Sequence, residues 1–163
     1  MTIVKYNILD DIAVIEISNP PVNAISGDVR NGLLRTIEKL SSEKKVKAIV
    51  ITAPDRTFLA GADIKEFGKN IDAPILSDIC DKIENLDKIV VASLHGTPLG
   101  GGLEVAMSAH YRIAAPKTKV GLPEVLLGEM GFTDEATNLQ ILEQCGGNVN
   151  LAIERLFAFT GSQ

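Results

Sequence analysis

Two short turns and two carboxylates are the residues of this chain whose spacing suits chemistry. HGTPLGGGLE (His95–Glu104) follows a strand-like run and opens a helix, where backbone N–H groups lack intrahelical partners. Such a turn attracts a phosphate or a developing oxyanion. Two phosphate motifs fail on inspection: GxGxxG needs glycine where Val105 stands, and a P-loop needs lysine where Gly102 stands. The GxSxG elbow of serine hydrolases is absent. A glycine-rich turn on its own serves packing more often than catalysis. Here it has company. TFLAGADIKEF (Thr57–Phe67) is a second small-residue turn that leads into a helix, and VGLPE (Val120–Glu124) puts a second carboxylate twenty positions after Glu104. His95 and His110 have no partner at metal or triad spacing, so no metal site is expected. Cys80 and Cys145 form no CxxC pair and suit a reducing compartment.

The elements that must position these residues follow from hydrophobic pattern. Thr2–Leu9 and Ile12–Ile17 are β-prone runs parted by Asp10-Asp11, which predicts a hairpin. Ser18-Asn19-Pro20-Pro21 stops the second strand, and Ser26 is a good N-cap for the helix that follows. In that helix Val29, Leu33, Ile37 and Leu40 mark the buried stripe. Lys47–Thr52 and Ile89–Leu94 read as strands buried on both faces. Ile64–Phe67 is a short helical piece, and Ile75, Ile79, Ile83 and Leu86 form another helical stripe. Tyr111–Ala114 is the last strand-like run. The alternation of strands and helices up to about residue 120 predicts an α/β domain. From Glu129 the pattern becomes helical only: Thr133–Cys145, a stop at Gly146-Gly147-Asn148, then Asn150–Phe159.

Composition narrows the classes. The chain has 163 residues, 45% of them apolar, with no Trp, so a core of Ile, Leu, Val and Ala is expected. A net charge of −5 argues against a nucleic-acid partner. No apolar run reaches the ~18 residues of a membrane span, and the N-terminus lacks the pattern of a signal peptide. A soluble, cytoplasmic protein is expected.

Taken as a set, AGADI, GGGLE, the following LPE and NPPVNA (Asn19–Ala24) resemble the crotonase (enoyl-CoA hydratase/isomerase) superfamily over about residues 1–128. The last motif is similar to the hydratase part of multifunctional fatty-acid oxidation enzymes. The resemblance implies a crotonase-like ββα core and hydration of 2-enoyl-CoA, with the coenzyme A thioester as substrate and no separate cofactor. Ala62 and Gly101 match the two oxyanion-hole amides. Glu104 matches the base toward water and Glu124 the proton donor. Val22, Ala24, Leu59, Ala60, Gly61, Asp63 and Ile64 match the walls of the CoA channel, although Asp63 also suits an N-cap. Family members form trimers or hexamers through helices beyond the LPE motif, and this chain leaves that pattern at Gly128.

The remainder, residues 129–163, resembles a ubiquitin-associated domain of the ubiquilin type, through Met130-Gly131-Phe132, Asn138-Leu139-Gln140, Gly146-Gly147-Asn148 and AIERL (Ala152–Leu156). This implies a small all-α bundle following an incomplete α/β core, an abrupt fusion at Gly128/Glu129. Leu139, Leu142, Ile153 and Leu156 should pack helix on helix. Met130, Gly131, Phe132, Leu156 and Phe157 match the ubiquitin-binding positions, which makes the alternatives to an enzyme an adaptor with an inactive α/β scaffold or a constructed chimera with neither function intact. A bundle of this kind needs three helices, and the first would have to borrow residues 122–128. That segment contains Glu124, so the two resemblances compete for one residue.

Overall fold

Alternating burial marks the first two strands, β1 (Val4–Leu9), which turns Val4, Tyr6 and Ile8 inward, and β2 (Ile12–Ile17), which buries Ala13, Ile15 and Ile17. They pair antiparallel with Leu9 opposite Ile12, closed by a tight turn in which Asp10 takes the left-handed conformation (φ 57°). Helix α1 (Gly27–Ser42) starts as its sequence directs, with the Ser26 hydroxyl accepting from the Val29 N–H. Val29, Leu33, Ile37 and Leu40 are all buried. Each such burial contributes about 1.5–3 kcal/mol. β3 (Ala48–Thr52), α2 (Leu76–Glu84), β4 (Ile89–Leu94), α3 (Gly101–Ser108) and β5 (Tyr111–Ala114) follow. The computed structural model describes residues 2–54, 56–66, 69, 72–146 and 148–160, without the side chains of Ile64, Glu135, Glu143, Phe159 and Thr160. Phe67 and Gly147, which belong to two of the expected elements, lie outside the described residues.

The five strands form one sheet in the order β1-β2-β3-β4-β5, parallel from β2 onward. Each crossover steps one strand in the same direction. With one handedness, such crossovers put α1, α2 and α3 on the same face. This corrects the expectation of doubly buried strands. Ile49 and Ile51 of β3 are buried while Ala48, Val50 and Thr52 are half-buried, and Val90, Ala92 and Leu94 of β4 are buried while Ile89 is exposed. Only the helix-covered face is deeply packed. Ile75 also departs from its expected place. It is the residue before α2 and is exposed, and Leu76 packs against the core instead.

Long side chains pin the helix ends. Lys88 donates from Nζ to the carbonyls of Leu40 and Glu43 at the end of α1, both at 2.6 Å. Arg112 on β5 donates to the carbonyls of Met107 and Ala109 at the end of α3, at 3.1 and 2.6 Å. Cations at helix C-termini also complement the dipole.

The chain divides into two compact units, Met1–Val120 and Gly121–Gln163. The second holds three helices, α4 (Pro123–Glu129), α5 (Glu135–Gln144) and α6 (Val149–Thr160). The division thus falls ahead of the expected one at residue 128, because α4 packs with α5 and α6. Leu127, Leu142, Cys145, Ala152 and Leu156 form its core, with Phe132, Ile141, Val149 and Ile153 against them. Ile141 stands where Leu139 was expected. No helix among the described residues is long and apolar enough to cross a membrane.

A unit this small is marginal, since short chains bury little surface. Leu127→Ala should therefore unfold it, at a loss of about 2–5 kcal/mol. Gly128→Ala, whose added methyl meets nothing within 4 Å, should stabilise it by about 1 kcal/mol. Amide hydrogen exchange in α5 and α6 reads both changes. Unaltered exchange there in Leu127→Ala would refute the packing described.

Candidate active site

Parallel neighbours β3 and β4 release their chains at the same edge of the sheet, so the turns that follow them lie side by side. The Phe58 N–H donates to the His95 carbonyl (3.1 Å), and the Thr97 N–H donates to the Thr57 hydroxyl (2.9 Å). The backbones approach more closely than side chains permit. A Cβ on Gly102 would stand 2.1 Å from the Leu59 carbonyl oxygen, and one on Gly96 would stand 2.4 Å from that of Arg56. Gly96 and Gly102 of HGTPLGGGLE are thus needed for contact between the turns.

The loop before α1 adds a third strand of chain to this edge. The Ala60 N–H donates to the Asn23 carbonyl (3.1 Å) and the Ile25 N–H to the Gly61 carbonyl (2.8 Å). Ile25 and Ala62 form an isolated parallel bridge. A trans peptide is planar, with its C=O and N–H pointing in opposite directions. Since the Gly61 carbonyl is held by Ile25, the Ala62 N–H of the same peptide is directed away from that loop. Gly101, the first residue of α3, lies beside it: its Cβ position would lie 3.9 Å from the Ala62 nitrogen. Neither amide donates to a protein acceptor among the described residues. Two neighbouring amides without protein acceptors can hold an oxyanion.

Glu104 lies in the first turn of α3, with an exposed side chain. Its charge reaches Cys80 on α2, whose thiol is pushed up chiefly by burial, against a hydrogen bond from Ser108 that lowers it and with Glu104 adding to the rise. Glu124 lies in the first turn of α4 and so belongs to the second unit. Of the expected channel residues, Val22 is exposed and Ala24, Ala60 and Asp63 are half-buried. Gly61 is buried, and the Ile64 side chain lies outside the described residues. Leu59 is fully buried in the core and has no side-chain surface for a ligand. Asp63 caps the short 3-10 turn Ile64–Glu66, its Oδ1 accepting from the Lys65 N–H at 3.0 Å.

The Enoyl-CoA hydratase/isomerase family model matches residues 7–150. The chain belongs to this family. Its match continues past residue 128, across the expected point of fusion. The chain is 47% identical over 117 residues to the peroxisomal bifunctional enzyme of Danio rerio, covering 72% of this chain and 16% of that one. It is 42% identical over 124 residues to a probable enoyl-CoA hydratase of Bacillus subtilis, covering 72% of this chain and 48% of that one. The crystal structure of enoyl-CoA hydratase from Thermoplasma volcanium superimposes with a TM-score of 0.70 at 33% identity, covering 78% of this chain and 54% of that one. The chain thus spans about half or less of the length of these relatives.

Two residues of this family member escaped the sequence reading. Asn23, inside NPPVNA, is buried and left-handed (φ 59°). Glu66 accepts from the Gly27 N–H at 2.7 Å and pairs with Arg30 at 3.1 Å, which fastens the chain after AGAD to the start of α1. Arg30 also donates to the carbonyls of Pro74 and Ile25. Asparagine's tolerance of positive φ was the available signal for the first. Nothing in the spacing announced the second.

In the second unit, Asn138 donates to the Phe132 carbonyl (2.5 Å) and so holds the Met130-Gly131-Phe132 loop, where Gly131 is left-handed (φ 94°). Phe132 meets Phe157 edge-on with ring centroids 5.1 Å apart. Met130 and Phe157 are exposed, whereas Leu156 is buried in the core and offers no surface.

Gly102→Ala is expected to destabilise the first unit by about 2 kcal/mol or more, since the new methyl forces the two turns apart. A urea midpoint equal to that of the unaltered protein would contradict the close approach.

Proposed function

We propose that the chain binds a coenzyme A thioester at the paired Ala62 and Gly101 amides and hydrates a 2-enoyl-CoA. The observation that carries this reading is that Gly101 lies beside Ala62, neither amide donating to a protein acceptor among the described residues, with Glu104 three residues along α3 from Gly101. Membership of the family supports it. In the reaction, water adds its oxygen to the β-carbon, one proton passes to Glu104, and a proton is delivered to the α-carbon. The thioester oxygen gains charge as an enolate forms, and two fixed amides stabilise it more than they stabilise the neutral carbonyl. Glu104 is the base toward water, and Glu124 is assigned the role of proton donor. Val22 and Ala24, with Ala60 and Asp63, are assigned to the CoA channel.

Hydration of crotonyl-CoA, followed by loss of its enoyl absorbance, tests this directly. Glu104→Gln and Glu124→Gln should each lower kcat by about 10²–10⁴, the usual range for acid–base groups. Unaltered protein that neither turns over nor binds crotonyl-CoA would rule the reading out.

A second reading, ubiquitin binding by the helical unit, is favoured by the exposed Met130 and Phe157 beside a held loop. It predicts weak binding that Phe157→Ala removes. Chemical shifts of labelled ubiquitin that do not move on titration would end it.

A further inference from the structure

We infer that Asn23 is a positioning residue for the thioester site, aiming the Ala62 N–H at the substrate oxygen. The inference rests on the hydratase reading proposed above. Asn23 is 1% exposed and sits at the junction of three chain segments. Its amide nitrogen donates to the carbonyls of Ile17 (3.2 Å) and Thr57 (3.3 Å) and to that of Phe58. Its side-chain oxygen accepts from the Asn19 N–H at 2.8 Å. Its own carbonyl accepts from Ala60 (3.1 Å), and two residues on Ile25 donates to Gly61 (2.8 Å).

These bonds act in series. The side chain ties the end of β2 to the turn after β3. The backbone on either side of Ala24 then pairs with Ala60 and Gly61. That pairing holds the Gly61 carbonyl, and a planar peptide turns the Ala62 N–H to the opposite side, beside Gly101. Gly101 needs no such device, because α3 orients its amide. One donor of the pair is therefore set by a helix and the other by Asn23. A donor displaced by about 1 Å loses on the order of 10²-fold in rate while ground-state binding changes little.

Three variants separate geometry from folding. Asn23→Gly keeps access to the positive φ and removes the amide. Asn23→Ala removes both. Asn23→Asp is isosteric but, when ionised, faces three carbonyls with acceptors only. Burial and those carbonyls raise the pKa of the new carboxyl, so lowering the pH protonates it and restores one O–H donor.

For crotonyl-CoA, Asn23→Gly should lower kcat by about 10–100-fold with KM within about threefold. Amide exchange at Ala60 and Ile25 should quicken. The activity of Asn23→Asp relative to the unaltered protein should rise as pH falls. The inference is overturned if folded Asn23→Gly and Asn23→Asp retain full kcat. It is equally overturned if the loss falls on KM alone, or if Asn23→Asp shows no recovery at low pH and activity simply follows melting temperature. Should the unaltered protein neither bind nor hydrate crotonyl-CoA, the hydratase reading itself fails and this inference goes with it. Failure confined to the variants leaves that reading in place.

Discussion

The first unit depends on two backbones lying closer together than any side chain would permit. Gly102 meets the Leu59 carbonyl and Gly96 meets that of Arg56. The parallel pairing of β3 with β4 starts the two turns side by side, and the missing Cβ atoms let them stay together. From that contact follow the packing of α3 against the sheet and the arrival of Gly101 beside Ala62. Gly96 and Gly102 serve packing in this way, and the same approach brings Gly101 beside Ala62.

Around this contact, buried polar groups are satisfied through a few side chains drawn from distant segments. Asn23 serves the carbonyls of Ile17, Thr57 and Phe58, while Glu66 and Arg30 join the segment after AGAD to the start of α1. Leaving such groups unpaired would cost about 1–3 kcal/mol each. Among the described residues the Ala62 and Gly101 amides donate to no protein acceptor; Ala62 is exposed and Gly101 half-buried.

The helical unit is built differently. Its core is a handful of side chains centred on Leu127, and its loop is held by one buried asparagine, Asn138. The family match runs through most of it, up to residue 150. Glu124, read both as a partner of Glu104 and as part of a first helix, does form part of α4. Leucines at 126 and 127 and Pro123 at the helix start favour that outcome, as proline is well placed in a first turn.

Local pattern determined much of this protein by itself. The hairpin, the Ser26 cap, the stripe of α1, the glycine turns and the family were all legible, because each depends on neighbouring residues or on contiguous motifs. Burial was legible only in part. Ile49 and Val50 look alike in sequence, and the direction of the crossovers alone decided which of them faces the helices. Ile75 continued a helical period yet fell just outside its helix, while Leu59 looked like a channel wall and became core. Asn23 and Glu66 were hidden for the same reason: their partners lie up to 39 positions away. Sequence spacing carries no record of such contacts until the parallel strands bring the loops to one edge of the sheet.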